Sequence, residues 1–219
     1  MLVYLLQGGL FMVPLVTCSV MAAAIILDRV LYLRGAFKEA NLVLNQVGEL
    51  AERSDVDGIE GFCQENQGLL SAIFLIGVRK FKQLQDNQDP EFVQAEVSKV
   101  MEEASIVNTA DLENRLPLLS TIGNVAPLFG FAGTVTGMMN AFDDIAQTSN
   151  PSAQVVAAGI REALVTTATG LLIAIPVVLV YSYLTSRIDS INTRTEETAN
   201  AVVDLLVVSH VRSISGAKR

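Results

Sequence analysis

Three stretches of this chain carry no charged side chain: Leu2 to Leu27, Leu116 to Phe142 and Ala163 to Ser186. Each exceeds the roughly 20 residues that an α-helix needs to cross a ~30 Å hydrocarbon core. Lipid offers no partner to a free backbone N–H or C=O, so helices that bond their own backbone are the expected solution, and the fold class is all-α with three transmembrane helices. With 51% hydrophobic and 17% charged residues among 219, the chain is too apolar for an ordinary soluble domain. The first stretch reads as a retained anchor. It lacks a basic start, and Asp28-Arg29 follows where a secretory signal would have its small-residue cleavage site. The run "GLLSAIFLIGV", Gly68 to Val78, is about half the length a span requires and reads as the apolar face of a helix outside the membrane.

Lys and Arg set topology, whereas Asp and Glu contribute little. Nothing basic precedes the first span, and Arg29, Arg34 and Lys38 follow it. Arg115 precedes the second, the loop "DDIAQTSNPSAQ" has neither Lys nor Arg, and Arg187 and Arg194 follow the third. The expected orientation has the N-terminus and that loop periplasmic and the C-terminus cytoplasmic. The expected organisation is a first transmembrane helix over 1–34, a cytosolic helical segment over 35–115, the second and third spans with their short loop over 116–186, and a cytosolic helix and tail over 187–219. The net charge of −8 argues against nucleic acid as a partner.

In the cytosolic segment, "DPEFVQAEVSKVMEEASIV" opens on Asp89 as an N-cap with Pro90 at the first helical position, and Phe92, Val93, Val97, Val100, Met101 and Val107 mark an amphipathic helix. Glu39 to Arg53 and Leu69 to Gln85 are expected to be helical too, with "ERSDVDGIEG" and "QDNQDP" as breaks. Ile188, Ile191, Val202, Leu205 and Leu206 extend an apolar stripe beyond the third span, which is expected to run on into the cytosol. Cys18, Cys63 and the single histidine, His210, form no metal-ligand pattern; they read as filler thiols and a surface imidazole. No phosphate loop, nucleophile elbow or repeat is visible, so the chain is not expected to be an enzyme or to hold a metal or cofactor.

The polar residues inside the spans are the informative ones. Asn150-Pro151 is a plausible cap and first residue for the third helix, which places Glu162 roughly 16 Å along it at 1.5 Å per residue. An ionised carboxylate at that depth costs at least a few kcal/mol and is read by default as functional. At 100° per residue, Glu162, Thr166, Thr169, Ile173 and Pro176 share a stripe, Arg161 points about a quarter-turn away, and Thr167 lies about 140° from Glu162. In the second span Gly130, Gly133 and Gly137 stand at helical spacing, a pattern that lets another helix approach closely. Asn124, Thr134, Thr136 and Asn140 add hydrogen-bonding groups, and Pro127 and Pro176 are sites where the helices can bend. One three-span chain cannot enclose a hydrated path, so a homo-oligomer is expected.

At these residues the chain resembles the ExbB/TolQ/MotA family of bacterial inner-membrane proton-channel subunits. The resemblance rests on "APLFGFAGTVTGMMNAF" (Ala126 to Phe142) and "GIREALVTTATGLLIAIP" (Gly159 to Pro176), supported by "GGLFMVPLVTCSVMAAAIILDRVLYLR" (Gly8 to Arg34). Three spans favour the ExbB/TolQ branch over the four-span MotA branch. The resemblance implies a homopentamer around single-span partners of the ExbD/TolR type that carry a membrane Asp. It also implies proton-driven work on a TonB-like or TolA-like periplasmic transducer. Carried over residue by residue, it assigns the proton pathway to Thr134, Glu162 and Thr167, whereas helical geometry favours Thr166. The competing readings are a non-conducting membrane scaffold and the permease subunit of an ATPase-driven transporter.

Overall fold

The structure, a computed structural model, describes residues 9–66, 68–85, 87, 89–147 and 153–217, with 153, 155 and 212–217 described by backbone only. Those residues form six helices: α1 (Met12–Glu52), α2 (Val56–Glu65), α3 (Leu69–Gln83), α4 (Pro90–Glu113), α5 (Leu116–Gln147) and α6 (Ala153–Ala217). Three of them, α1, α5 and α6, are long and apolar enough to cross a membrane. The 41 residues of α1 and the 65 of α6 measure about 60 and about 100 Å at 1.5 Å per residue, two to three times the ~30 Å of a hydrocarbon core. The first span and Glu39 to Arg53, two separate expectations, are therefore one helix. The expected cap at Asn150-Pro151 lies outside the described residues. Asp143 to Gln147, expected in a loop, is the last turn of α5.

The chain divides into two compact units, one taking the chain up to Val30 with Arg115–Thr185, the other Leu31–Asn114 with the chain from Ser186. The second unit has a core in which Val43, Leu44 and Val47 of α1, Ile59 of α2, Ile73, Phe74 and Val78 of α3, Val97 and Met101 of α4 and Val202 and Leu206 of α6 are all buried. Gly68 to Val78 belongs here, with Leu70, Ile73, Phe74 and Val78 on the buried face of α3. Phe74 is completely inaccessible. Phe74→Ala is expected to cost about 3–5 kcal/mol, the usual penalty for emptying an aromatic site that cannot collapse, and thermal unfolding of the purified protein in detergent, followed by circular dichroism, measures it.

Two expectations fail in this unit. "ERSDVDGIEG" is mostly helix, because the break is confined to Arg53, Ser54 and Asp55. With φ at 59° Ser54 ends α1, its N–H bonding Ala51 O at 3.0 Å while that of Asp55 bonds Leu50 O at 3.0 Å. This is the paired closure that a left-handed residue after a helix permits. Asp55 then caps α2 by accepting from Gly58 N at 2.8 Å, and burial of Ile59 and Cys63 one turn apart outweighs the low helix propensity of Gly58 and Gly61. His210 is not a surface residue either. It is 1% exposed, its Nε2 lies 2.8 Å from Asn87 O, and its ring meets Phe81 edge-on at 5.9 Å.

The α4 cap is as expected: Asp89 accepts from Glu91 N and Phe92 N, with Pro90 opening the helix. Its apolar positions divide, however. Val93, Val97 and Met101 are buried, whereas Phe92 and Val107 are exposed. On the surface of this unit Lys82 bridges Asp57 at 2.8 Å and Glu60 at 2.5 Å. These hydrogen bonds hold the Lys82 ammonium above its usual range and the Asp57 carboxyl below its own. Burial pushes the Cys63 thiol up to about 11, which leaves it protonated and unreactive at neutral pH.

Candidate functional site

In the first unit, small residues set the distance between α5 and α6. The small buried residues of α5, Gly123, Ala126, Gly130, Gly133, Gly137 and Ala141, recur every three or four residues. They meet Gly159, Ala163, Thr166, Thr167, Gly170, Val177 and Val178 of α6. A Cβ at Gly170 would lie 2.6 Å from Ala126 O, and one at Gly130 would lie 3.1 Å from both Thr166 O and Thr167 Cα. Backbone faces backbone at these points, so no side chain can move aside to make room. Gly133 and Gly137 line the same contact, Gly133 against the Thr166 side chain and Gly137 against Ala163. Besides the three glycines expected on α5, Gly159 and Gly170 of α6 belong to this contact. The pairs Gly159/Ala163 and Gly170/Ala174, each small residues four apart, were the available signal. Met12 and Leu15 of α1 pack with Ala126, Phe129, Ile173 and Ala174.

Most hydroxyls in these helices turn back on their own backbone. Thr136 bonds Ala132 O, Thr166 bonds Glu162 O at 2.7 Å, and Thr169 bonds Val165 O at 2.8 Å. That is how an apolar helix satisfies Thr without water. Thr167 instead reaches across to α5, its Oγ1 donating to Gly130 O at 2.9 Å. Thr134 Oγ1 also donates to Gly130 O, at 3.1 Å, and the two hydroxyl oxygens lie 2.5 Å apart. Three contacts thus share two protons. Thr134 can donate to Thr167 while Thr167 donates to the carbonyl, or the order can reverse, by rotation of two hydroxyls and no other movement.

The structure therefore brings Thr134 and Thr167 together and places Thr166 elsewhere. Thr166, beside Glu162 on the helical stripe, is completely buried against Gly133. Glu162 lies five residues before Thr167, about 7.5 Å along the helix. It is half-buried, with its carboxylate against Gly9, just ahead of α1. Arg161 is exposed, and among the described residues neither it nor Glu162 forms an ion pair. Pro127 and Pro176 sit inside helices that continue past them. Each deprives the carbonyl four residues earlier of its intrahelical donor. At the other end of this unit, Asp28 accepts from Arg29 Nε and Arg115 Nη1, both at 3.0 Å, beside the left-handed Arg115 (φ 64°) that turns the chain from α4 into α5. Among the described residues no cluster of His, Cys, Asp and Glu could hold a metal ion.

Known proteins with these helices decide the family. Residues 65–197, more than half of the chain, match the model of the MotA/TolQ/ExbB proton channel family. The chain belongs to that family. Its relatives include the Tol-Pal system protein TolQ of Haemophilus influenzae, 32% identical over 212 residues that cover 95% of this chain and 91% of that protein. TolQ of Pseudomonas aeruginosa is 33% identical over 180 residues, 81% of this chain and 78% of that one. The biopolymer transport protein ExbB of Pseudomonas putida is 32% identical over 184 residues, 84% of this chain and 50% of that protein. The family match takes in α5, the first part of α6 and the paired threonines. It ends at residue 197, so the last part of α6 falls outside it.

Proposed function

We propose that this chain is a bacterial inner-membrane subunit of an ExbB–ExbD-like or TolQ–TolR-like motor, in which proton flow down the membrane gradient energises a periplasmic transducer of the TonB or TolA type. The observation that carries this reading is the Thr134–Thr167–Gly130 cluster. It is a reversible pair of hydroxyls between two membrane helices, about one and a half turns from the half-buried acid Glu162. Hydroxyls at neutral pH relay protons and hold no charge, so in this reading Glu162 is the acid of the path and the threonines are stations beside it. The N-terminus is periplasmic and the C-terminus cytoplasmic, as the Lys and Arg distribution favours.

A homopentamer around two single-span partners, each with a membrane Asp, completes the path in this reading. One feature of the single chain supports further subunits. Asn124 is exposed on α5, on the same face as Leu128, Phe131, Val135, Met139 and Phe142, and Asn140 is exposed about 100° round the helix from Met139. An amide left in hydrocarbon costs several kcal/mol, which a neighbouring chain or a wet interior removes.

The experiment is Thr134→Val, a change of nearly constant volume, in the complex co-purified with its single-span partner. Thr167 retains Gly130 O as acceptor, so assembly should be kept while transducer-dependent activity falls; the same result is expected for Thr167→Val. Full activity in both variants would contradict the relay. The glycine-lined contact between α5 and α6 favours a second reading, a non-conducting scaffold, which predicts that full activity.

A further inference from the structure

Gly9 lies three residues before the first residue of α1, and its φ is +64°, in the left-handed region. Its carbonyl accepts from Met12 N at 3.2 Å in the turn that opens the helix. A Cβ at this position would overlap Oε1 of Glu162 and crowd the rest of that carboxylate. The acid therefore occupies the place where any other residue would carry its side chain. The first turn of α1 contains no acidic residue of its own, so Glu162 brings the negative charge that the start of a helix favours.

We infer that Gly9 is a positioning residue for Glu162: the missing side chain is the space that lets the start of α1 close over the carboxylate and fix where it points. The inference rests on Glu162 being the acid of the proposed path, and it adds the residue that aims it. A glycine kept only for its backbone would be needed for φ. A glycine kept for the carboxylate would be needed for the absent Cβ. The two roles separate experimentally, because Asn tolerates a left-handed backbone yet carries a Cβ, and because Asp at 162 withdraws the carboxylate by one methylene.

The test measures proton flux into liposomes that contain the complex with its single-span partner, for Gly9→Ala, Gly9→Asn, Glu162→Asp, the double variant G9A/E162D, and Glu162→Gln. Gly9→Ala and Gly9→Asn should each lower flux by about 10-fold to 100-fold, the range that misplacing a reacting group by ~1 Å produces. In the Glu162→Asp background, Gly9→Ala should cost no more than about twofold, the non-additivity expected of groups in direct contact. Normal flux in Gly9→Ala, normal flux in Gly9→Asn, or an equal loss in both backgrounds would overturn the positioning role. Should Gly9→Ala prevent assembly, recovery of the complex in G9A/E162D supports the steric relation, and failure regardless of residue 162 overturns it. Glu162→Gln separates the two ideas. Its loss of flux beside an additive Gly9 effect removes only the positioning role, whereas wild-type flux in Glu162→Gln removes the proton-path reading itself.

Discussion

Glu162→Gln is expected to abolish most energised function while the complex still assembles. Glutamine has the shape of glutamic acid and retains a hydrogen-bonding head, so the space beside Gly9 is filled as before. What it lacks is a proton to release. Loss of transport or transducer activity by about tenfold or more is predicted, a factor that ~1.4 kcal/mol in the controlling barrier produces. Gel filtration in detergent should show an unchanged complex. Glu162→Asp should retain part of the activity, because a carboxyl group is kept, one methylene short of its place. If Glu162→Gln supports wild-type activity, the carboxylate is a structural group and the path must run elsewhere.

Gly170→Val is expected to have the largest structural effect in the first unit. The added side chain would begin 2.6 Å from Ala126 O and 3.2 Å from Gly130 Cα, with no flexible neighbour to yield. Overpacking a tight contact costs about 1–3 kcal/mol, and here the helices must separate because backbone atoms lie on both sides. Separation would also pull Thr167 away from Gly130 O. Lower thermal stability, together with loss of activity, is the predicted pair of results, measured on purified complex. Gly61→Ala is the matching control: a Cβ there meets nothing within 4 Å, so stability should hold or rise slightly. Wild-type stability in Gly170→Val would show that α5 and α6 are not held at this distance.

Much of the architecture was legible because lipid and water impose strong patterns. Three charge-free runs mark the helices long enough to span, and Asp89-Pro90 marks the start of α4, since each signal is local. What depended on partners distant in sequence was not. His210 looked like a surface residue until the ring of Phe81 and the carbonyl of Asn87, more than 120 residues away, enclosed it. "ERSDVDGIEG" looked like a break because Gly and Asp weigh against helix, but burial of Ile59 and Cys63 and the Asp55 cap won.

The candidate site shows the same division. Helical periodicity grouped Thr166 and Thr169 with Glu162, which is correct for a cylinder seen alone. It does not say which residues touch a second helix across a glycine-lined contact. There, Thr166 packs against Gly133 and the neighbouring Thr167 meets Thr134. The family resemblance selected Thr167 and helical geometry selected Thr166, and the cross-helix hydrogen bonds belong to Thr167. Gly9 was invisible to both approaches: a glycine ahead of an apolar run has many explanations until the carboxylate that fills its side-chain space is seen.

The most direct test of the proton-path account is flux into liposomes under an imposed pH gradient. The chain is purified with its single-span partner, and wild type is compared with a partner whose membrane carboxylate is replaced by an amide. The account predicts flux in the wild-type complex and its loss in the variant, with both complexes intact. Equal flux in the two, or none in a wild-type complex that is supplied with its periplasmic transducer, would contradict it.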